Sequence, residues 1–348
     1  MLCGFVTSFR RVRDLVWIGS LLTVLVQGGT VAWAGESHDN HEVLCRMEPT
    51  CHVTLLARLP HAPFPYDGPS GDTEQPFFDH TDPVTGQRVH TVDSGMAYPE
   101  SLHYQDNRVL IHLPPAFRPD APFEILVFFH GHHTEIVRTL VEEMALLQQL
   151  DAANRNAVLV APQMALNAAD SSPGKLYLPR GFSNMLKDVA RVLGREVDKR
   201  FAARFKRAPV ILAAFSGGYR AVAYTLDRGF SGPGERDKRL RGVILLDALY
   251  GEPDKFADWL WHGRRRGFFV NLYGPSSESL ARRLEQDLTE QKQTWHDTLK
   301  RRIKSKGIYS LAVETPHETI FLDGPPHWPL AEILGKVGGH AALRTGAR

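Results

Sequence analysis

The sequence predicts an α/β fold, a mostly parallel, doubly wound sheet with helices on both faces. Three observations predict it. Short, unbroken apolar runs of strand length recur along the chain, as expected of strands covered on both faces. Stretches of helical periodicity alternate with these runs, the order of a parallel sheet with crossover helices. Finally, His130, Ser216 and Asp247 each close such a run, and in open α/β sheets the ligand site lies beyond the carboxyl ends of the strands.

In chain order, residues 1–34 read as a targeting segment. Arg10, Arg11 and Arg13 form a positive n-region, residues 15–26 an apolar stretch, and Ala32-Trp33-Ala34 a small-x-small cleavage site. The apolar stretch is interrupted by Gly19 and Ser20 and falls short of the roughly 20 residues that span a bilayer, so export is expected rather than a membrane anchor. Residues 35–87, rich in His, Asp, Pro and Gly, are expected to be an extended or ill-ordered N-terminal arm. One regular α/β domain is expected over 88–348. Strands are predicted at 107–115, 123–131, 157–162, 210–215, 242–247, 267–273 and 308–313. Helices are predicted at 136–150, 183–205, after residue 218, at 254–263, 276–303 and 329–337.

The whole chain of 348 residues carries 41 Lys and Arg against 39 Asp and Glu, and removal of 1–34 leaves 38 of each. A neutral mature chain has no global electrostatic reason to bind nucleic acid or an anionic membrane. Of three cysteines, Cys3 leaves with the targeting segment. Cys45 and Cys51, close in sequence, are expected to bridge in an oxidising compartment.

The most informative stretch is Pro209 to Leu226. An apolar strand reaches Ser216, two glycines follow, and the pattern then turns helical. A residue at so sharp a bend needs small neighbours two positions to either side, and Ala214 and Gly218 supply them. No G-x-G-x-x-G or G-K-[ST] supports a nucleotide cradle. The segment Ala214-Phe-Ser216-Gly-Gly218 resembles the nucleophile elbow of the α/β-hydrolase family, written G-x-S-x-G, with alanine for the first glycine. Val109-Leu-Ile-His-Leu-Pro-Pro-Ala-Phe117 and Leu126-Val-Phe-Phe-His-Gly131 are similar to the opening of its esterase-like members. The resemblance covers roughly residues 88–340.

That resemblance implies a serine hydrolase that cleaves an ester, or in second place an amide, through an acyl-enzyme on Ser216, with no cofactor, and residues 1–34 make it an exported one. A serine hydroxyl needs an imidazole to take its proton, and the imidazole a carboxylate to fix its tautomer. The family order of serine, acid, histidine offers Asp247, with Glu278 in reserve, and His317, with His327 as rival. Backbone amides of Gly217 and His132 match the family's oxyanion positions. The substrate is expected to be a small-molecule or polymer acyl compound. Tyr177, Leu178, Trp259 and Trp261 are open to either pocket lining or core packing.

Two other readings remain at this level. His130-Gly-His132-His133 invites a metal-dependent hydrolase, although position 135 is Glu and no further histidine follows where a metallo-β-lactamase-like site needs one. A non-catalytic binding protein on the same fold is the third reading, since fold does not fix function. The basic run Lys300–Lys306 is expected to be part of a solvated helix face.

Overall fold

The computed structural model describes residues 24–26, 29–31, 41–47, 52–229, 238–263, 267–321 and 328–338, with side chains from Val53 onward. The charged and cleavage regions of the expected targeting segment, the expected pairing of Cys45 with Cys51, and His327 lie outside the described residues.

Nine strands form one sheet: β1 (His41–Met47), β2 (His52–Arg58), β3 (Arg108–Leu113), β4 (Glu124–Phe129), β5 (Ala157–Pro162), β6 (Val210–Phe215), β7 (Leu240–Leu246), β8 (Phe268–Tyr273) and β9 (Ile308–Ala312). Their spatial order is β9-β8-β7-β6-β4-β5-β3-β2-β1. From β9 to β5 all pairs are parallel, and β5–β3, β3–β2 and β2–β1 are antiparallel. The chain winds outward from β4 to β5 and then reverses across β4 to β6. The crevice between the carboxyl ends of β4 and β6 is thus the switch point where such sheets hold ligands.

The helices are α1 (Leu146–Ala152), α2 (Gly181–Glu196), α3 (Lys199–Phe205), α4 (Tyr219–Arg228), α5 (Pro253–Asp258), α6 (Glu278–Glu290) and α7 (Pro329–Lys336). Alternate residues of β6 divide between two cores. Val210, Leu212 and Ala214 join Val189, Phe201, Val222 and Leu284 on one face, while Ile211 and Ala213 join Leu140, Leu150, Ile333 and Leu334 on the other. Both faces being covered explains why the strand reads as an unbroken apolar run. Among the described residues no helix is long and apolar enough to cross a membrane.

Several expectations change. Residues 35–87 are not simply an arm before the sheet. Strand β2 is paired on both sides, and its Leu55 and Ala57 are fully buried. Phe64, Tyr66, Phe77 and Phe78 build an aromatic cluster with Tyr104, Tyr177 and Tyr224, and residues His80–Thr81 and Arg88–Thr91 pair in a small sheet completed by Ala97–Pro99. The expected helix at 183–205 breaks after Glu196, because the Asp198 carboxylate accepts from the amides of Arg200 and Phe201 at 2.6 and 2.9 Å and starts a new helix. The expected helix at 276–303 stops at Glu290. Lys292 lies in the left-handed region (φ 54°), and Ile303 in the basic run is buried beside Val337 rather than on a solvated helix. The helix expected at 136–150 is a π-helical stretch, Ile136–Glu143, followed by α1. Trp259 is core, 6.4 Å from Phe269, and Trp261 packs on the same cluster; Tyr177 is buried against Tyr224, leaving Leu178 exposed.

Candidate active site

Ser216 follows the last residue of β6 and has φ 52°, a left-handed value that costs a non-glycine residue roughly 1–3 kcal/mol and persists only where its surroundings impose it. The surroundings are visible. A Cβ on Gly218 would fall 2.3 Å from the Phe129 carbonyl oxygen, and one on Gly131 would fall 2.6 Å from Ser216 Cβ. The turn after β4 therefore passes directly against the bend after β6, and only glycine fits at either contact. Ser216 remains partly accessible.

Asp247 closes β7 and is fully buried. Its Oδ1 accepts from the Gly274 amide at 2.9 Å and from the Ser277 hydroxyl; its Oδ2 accepts from Ser276 Oγ at 2.8 Å and Tyr250 Oη at 3.2 Å. His317 Nδ1 lies 2.6 Å from the same Oδ2. Burial alone would raise the carboxyl pKa. The hydrogen bonds from His317, Ser277, the Gly274 amide and Ser276 outweigh it and hold the group well below the usual carboxylate range.

His317 stands in the loop after β9, anchored by buried Ile320 and Phe321 a few residues on. One ring face stacks on Phe215 (5.0 Å between centroids, 12° between planes), and the Tyr250 ring meets it edge-on at 5.7 Å. A carboxylate can only accept, so Nδ1 carries the proton. Nε2 is then free to accept, and it lies 2.9 Å from Ser216 Oγ. Serine, imidazole and carboxylate thus form one continuous hydrogen-bonded line drawn from β6, β9 and β7. Glu278, by contrast, sits exposed at the start of α6 and pairs with Arg282 at 3.3 Å.

The histidines after β4 divide in role. His130 is buried, and both ring nitrogens are committed: Nε2 accepts from the Met164 amide at 2.8 Å, so Nδ1–H donates to the Gly131 carbonyl at 2.7 Å. Burial pushes its pKa down to about 4. A ring so engaged has no lone pair left for a metal, and among the described residues no group of three or more His, Cys, Asp or Glu side chains converges as a metal site would require. The His132 ring bonds Ser171 Oγ through Nε2 at 2.8 Å and lies against Gly217, where a Cβ would meet its Cδ2 at 2.5 Å. The His132 side chain thus lies directly against Gly217, the residue that follows Ser216.

The sequence reading missed Tyr250, Ser276, Ser277 and the Gly274 amide. The segment 271–278 holds no aspartate, and its one acid, Glu278, pairs with Arg282; what the segment supplies is donors to the acid on the neighbouring strand. A Gly-Pro-Ser-Ser turn directly after a strand end was the available signal.

The fold is α/β, a mostly parallel doubly wound sheet with helices on both faces. The chain matches no protein-family profile and no curated protein. Among solved structures it is similar to the feruloyl esterase module from Clostridium thermocellum, with 12% identity over 80% of this chain and 98% of that one and a TM-score of 0.41. It is also similar to an S-formylglutathione hydrolase from Agrobacterium tumefaciens, with 13% identity over 73% and 98% and a TM-score of 0.40. A third is a fluorophosphonate-binding serine hydrolase of Staphylococcus aureus, with 10% identity over 82% and 99% and a TM-score of 0.42. Identities and scores at this level assign no activity, which has to be argued from the site.

Proposed function

We propose that the protein is a serine hydrolase that cleaves an ester through an acyl-enzyme on Ser216. One observation carries the reading: a single imidazole, His317, spans 2.9 Å to the serine hydroxyl and 2.6 Å to a buried carboxylate. In this scheme His317 Nε2 takes the Ser216 proton as Oγ attacks the acyl carbon, and Asp247 supports the imidazolium that forms. The amides of Gly217 and His132 receive the developing oxyanion. The imidazolium then gives its proton to the departing alcohol, and water, activated by the same nitrogen, releases the acid. Export to the periplasm or beyond is part of the same proposal and is supported by the n-region, apolar stretch and cleavage site of residues 1–34.

A fluorophosphonate probe is expected to label the wild-type protein and not Ser216→Ala, and chelation is expected to leave ester turnover intact. Equal labelling of both proteins would refute the nucleophile. Turnover abolished by chelation and restored by metal would return the argument to the metal reading. A folded protein with neither labelling nor turnover would favour a binding role.

A further inference from the structure

A cleft of about 430 Å³ is lined by His132 and Ser171, both of which lie against Gly217, the residue after Ser216. Ser171 Oγ lies only 2.9 Å from where a Cβ on Gly217 would be, and Tyr219, Arg220, Asp93 and Ser94 line the same cleft. Arg220 is on the first turn of α4, four residues after Ser216.

The guanidinium of Arg220 is incompletely matched. Glu252 lies 3.4 Å from its Nε but also 3.1 Å from Lys255 Nζ, so that carboxylate divides between two cations. Nε is buried without a hydrogen bond. Among the described residues, its one hydrogen bond to a carboxylate is from Nη2 to Asp93 Oδ2 at 3.3 Å, and the Asp93 side chain is 93% exposed at the cleft wall. A pair that open to water holds weakly. The other acid of the wall, Asp170, is turned inward: Oδ1 accepts from the Ser172 amide at 2.8 Å and Oδ2 from Tyr104 Oη at 2.9 Å, with His90 Nε2 at 3.9 Å.

We propose that this cleft receives an ester substrate bearing a free carboxylate, which displaces Asp93 from Arg220 and pairs with the guanidinium. The inference rests on the serine hydrolase reading. Guanidinium and carboxylate match as a two-point fork, a geometry Lys cannot reproduce. A monoanion suits the site better than a phosphate, because the second charge would be set against Asp93 and Asp170.

Two substrate pairs test it, one for each side of the scissile bond: p-nitrophenyl pentanoate against the p-nitrophenyl half ester of glutaric acid, and phenyl acetate against 4-acetoxybenzoate. In at least one pair the wild type is expected to prefer the anionic ester, in kcat/KM, by about 10- to 100-fold. Arg220→Gln is expected to collapse that ratio toward one, Arg220→Lys to recover part of it, and Asp93→Asn to raise it. Flat ratios in both pairs, or ratios untouched by Arg220→Gln, overturn the inference. Should Arg220→Gln fail to fold, the exposed Asp93→Asn decides, and an unchanged ratio there overturns it equally. Fluorophosphonate labelling run alongside separates the failures. Labelling with flat ratios sinks the carboxylate alone, whereas absence of labelling sinks the hydrolase reading with it.

Discussion

Asp247→Asn removes one charge and almost no volume, and its effect can be worked out atom by atom. Oδ1 of the wild-type carboxylate accepts from the Gly274 amide and the Ser277 hydroxyl, two donors fixed by the turn after β8. The amide oxygen of an asparagine must occupy that position, which puts its NH2 where Oδ2 now faces His317. An NH2 opposite Nδ1 forces the ring proton onto Nε2, the atom that has to accept from Ser216. The base is then present in the wrong tautomer, and kcat/KM on an aryl ester is expected to fall on the order of 10³- to 10⁴-fold. Loss of the charged hydrogen bonds is expected to cost about 2–3 kcal/mol of stability at neutral pH, measured by denaturant unfolding. The folded state depresses the Asp247 pKa, so its contribution is complete above the unfolded value near 4 and drains away as pH falls below it. The stability gap between wild type and variant should therefore be widest at pH 7 and narrow below about pH 4. A folded Asp247→Asn protein retaining activity within about tenfold of wild type would refute the assignment of this carboxylate.

Tyr250→Phe deletes a hydroxyl 3.2 Å from Asp247 and 3.1 Å from His317 Nδ1 while leaving the ring that abuts the imidazole; a loss of about 3- to 10-fold in kcat, with folding intact, is expected. His130, with its pKa lowered from 6.5 to about 4, must stay neutral in the folded state, so its contribution is full above pH 6.5 and is lost as pH falls toward 4. It amounts to about 3 kcal/mol in total, and the slope of unfolding free energy against pH over that window should be shallower in His130→Asn. Gly218→Ala drives a methyl to 2.3 Å from a backbone carbonyl of β4, and is expected to lower stability by 3 kcal/mol or more, roughly, as seen by thermal unfolding or loss of soluble protein.

The sheet was legible because strands buried on both faces are apolar without interruption, and β5 and β6 fall at the residues the pattern marks. Ser216 was legible for a steric reason, since the bend that exposes it demands small residues at fixed offsets. Asp247 and His317 were reachable only through chain order and strand ends. What holds them had no spacing to read: the Gly274 amide and the hydroxyls of Ser276, Ser277 and Tyr250 act through a turn geometry any polar sequence could adopt. For the histidines after β4 the sequence offered residue types without their partners. That His130 is a structural residue depends on the Met164 amide, supplied just beyond β5 and 34 positions away. The helix expected to continue past Glu290 ends where Lys292 takes a left-handed φ of 54°, a turn that no apolar spacing marks.

Strand β2 carries a practical consequence. It fills the lane between β1 and β3, so a shortened chain that began where the regular alternation becomes obvious, near residue 88, would leave the β3 ladder without its neighbour. Such a rim, with Val109 and Ile111 bare alongside it, is a template for stacking one copy upon another. Trimming the chain at that point would therefore invite aggregation.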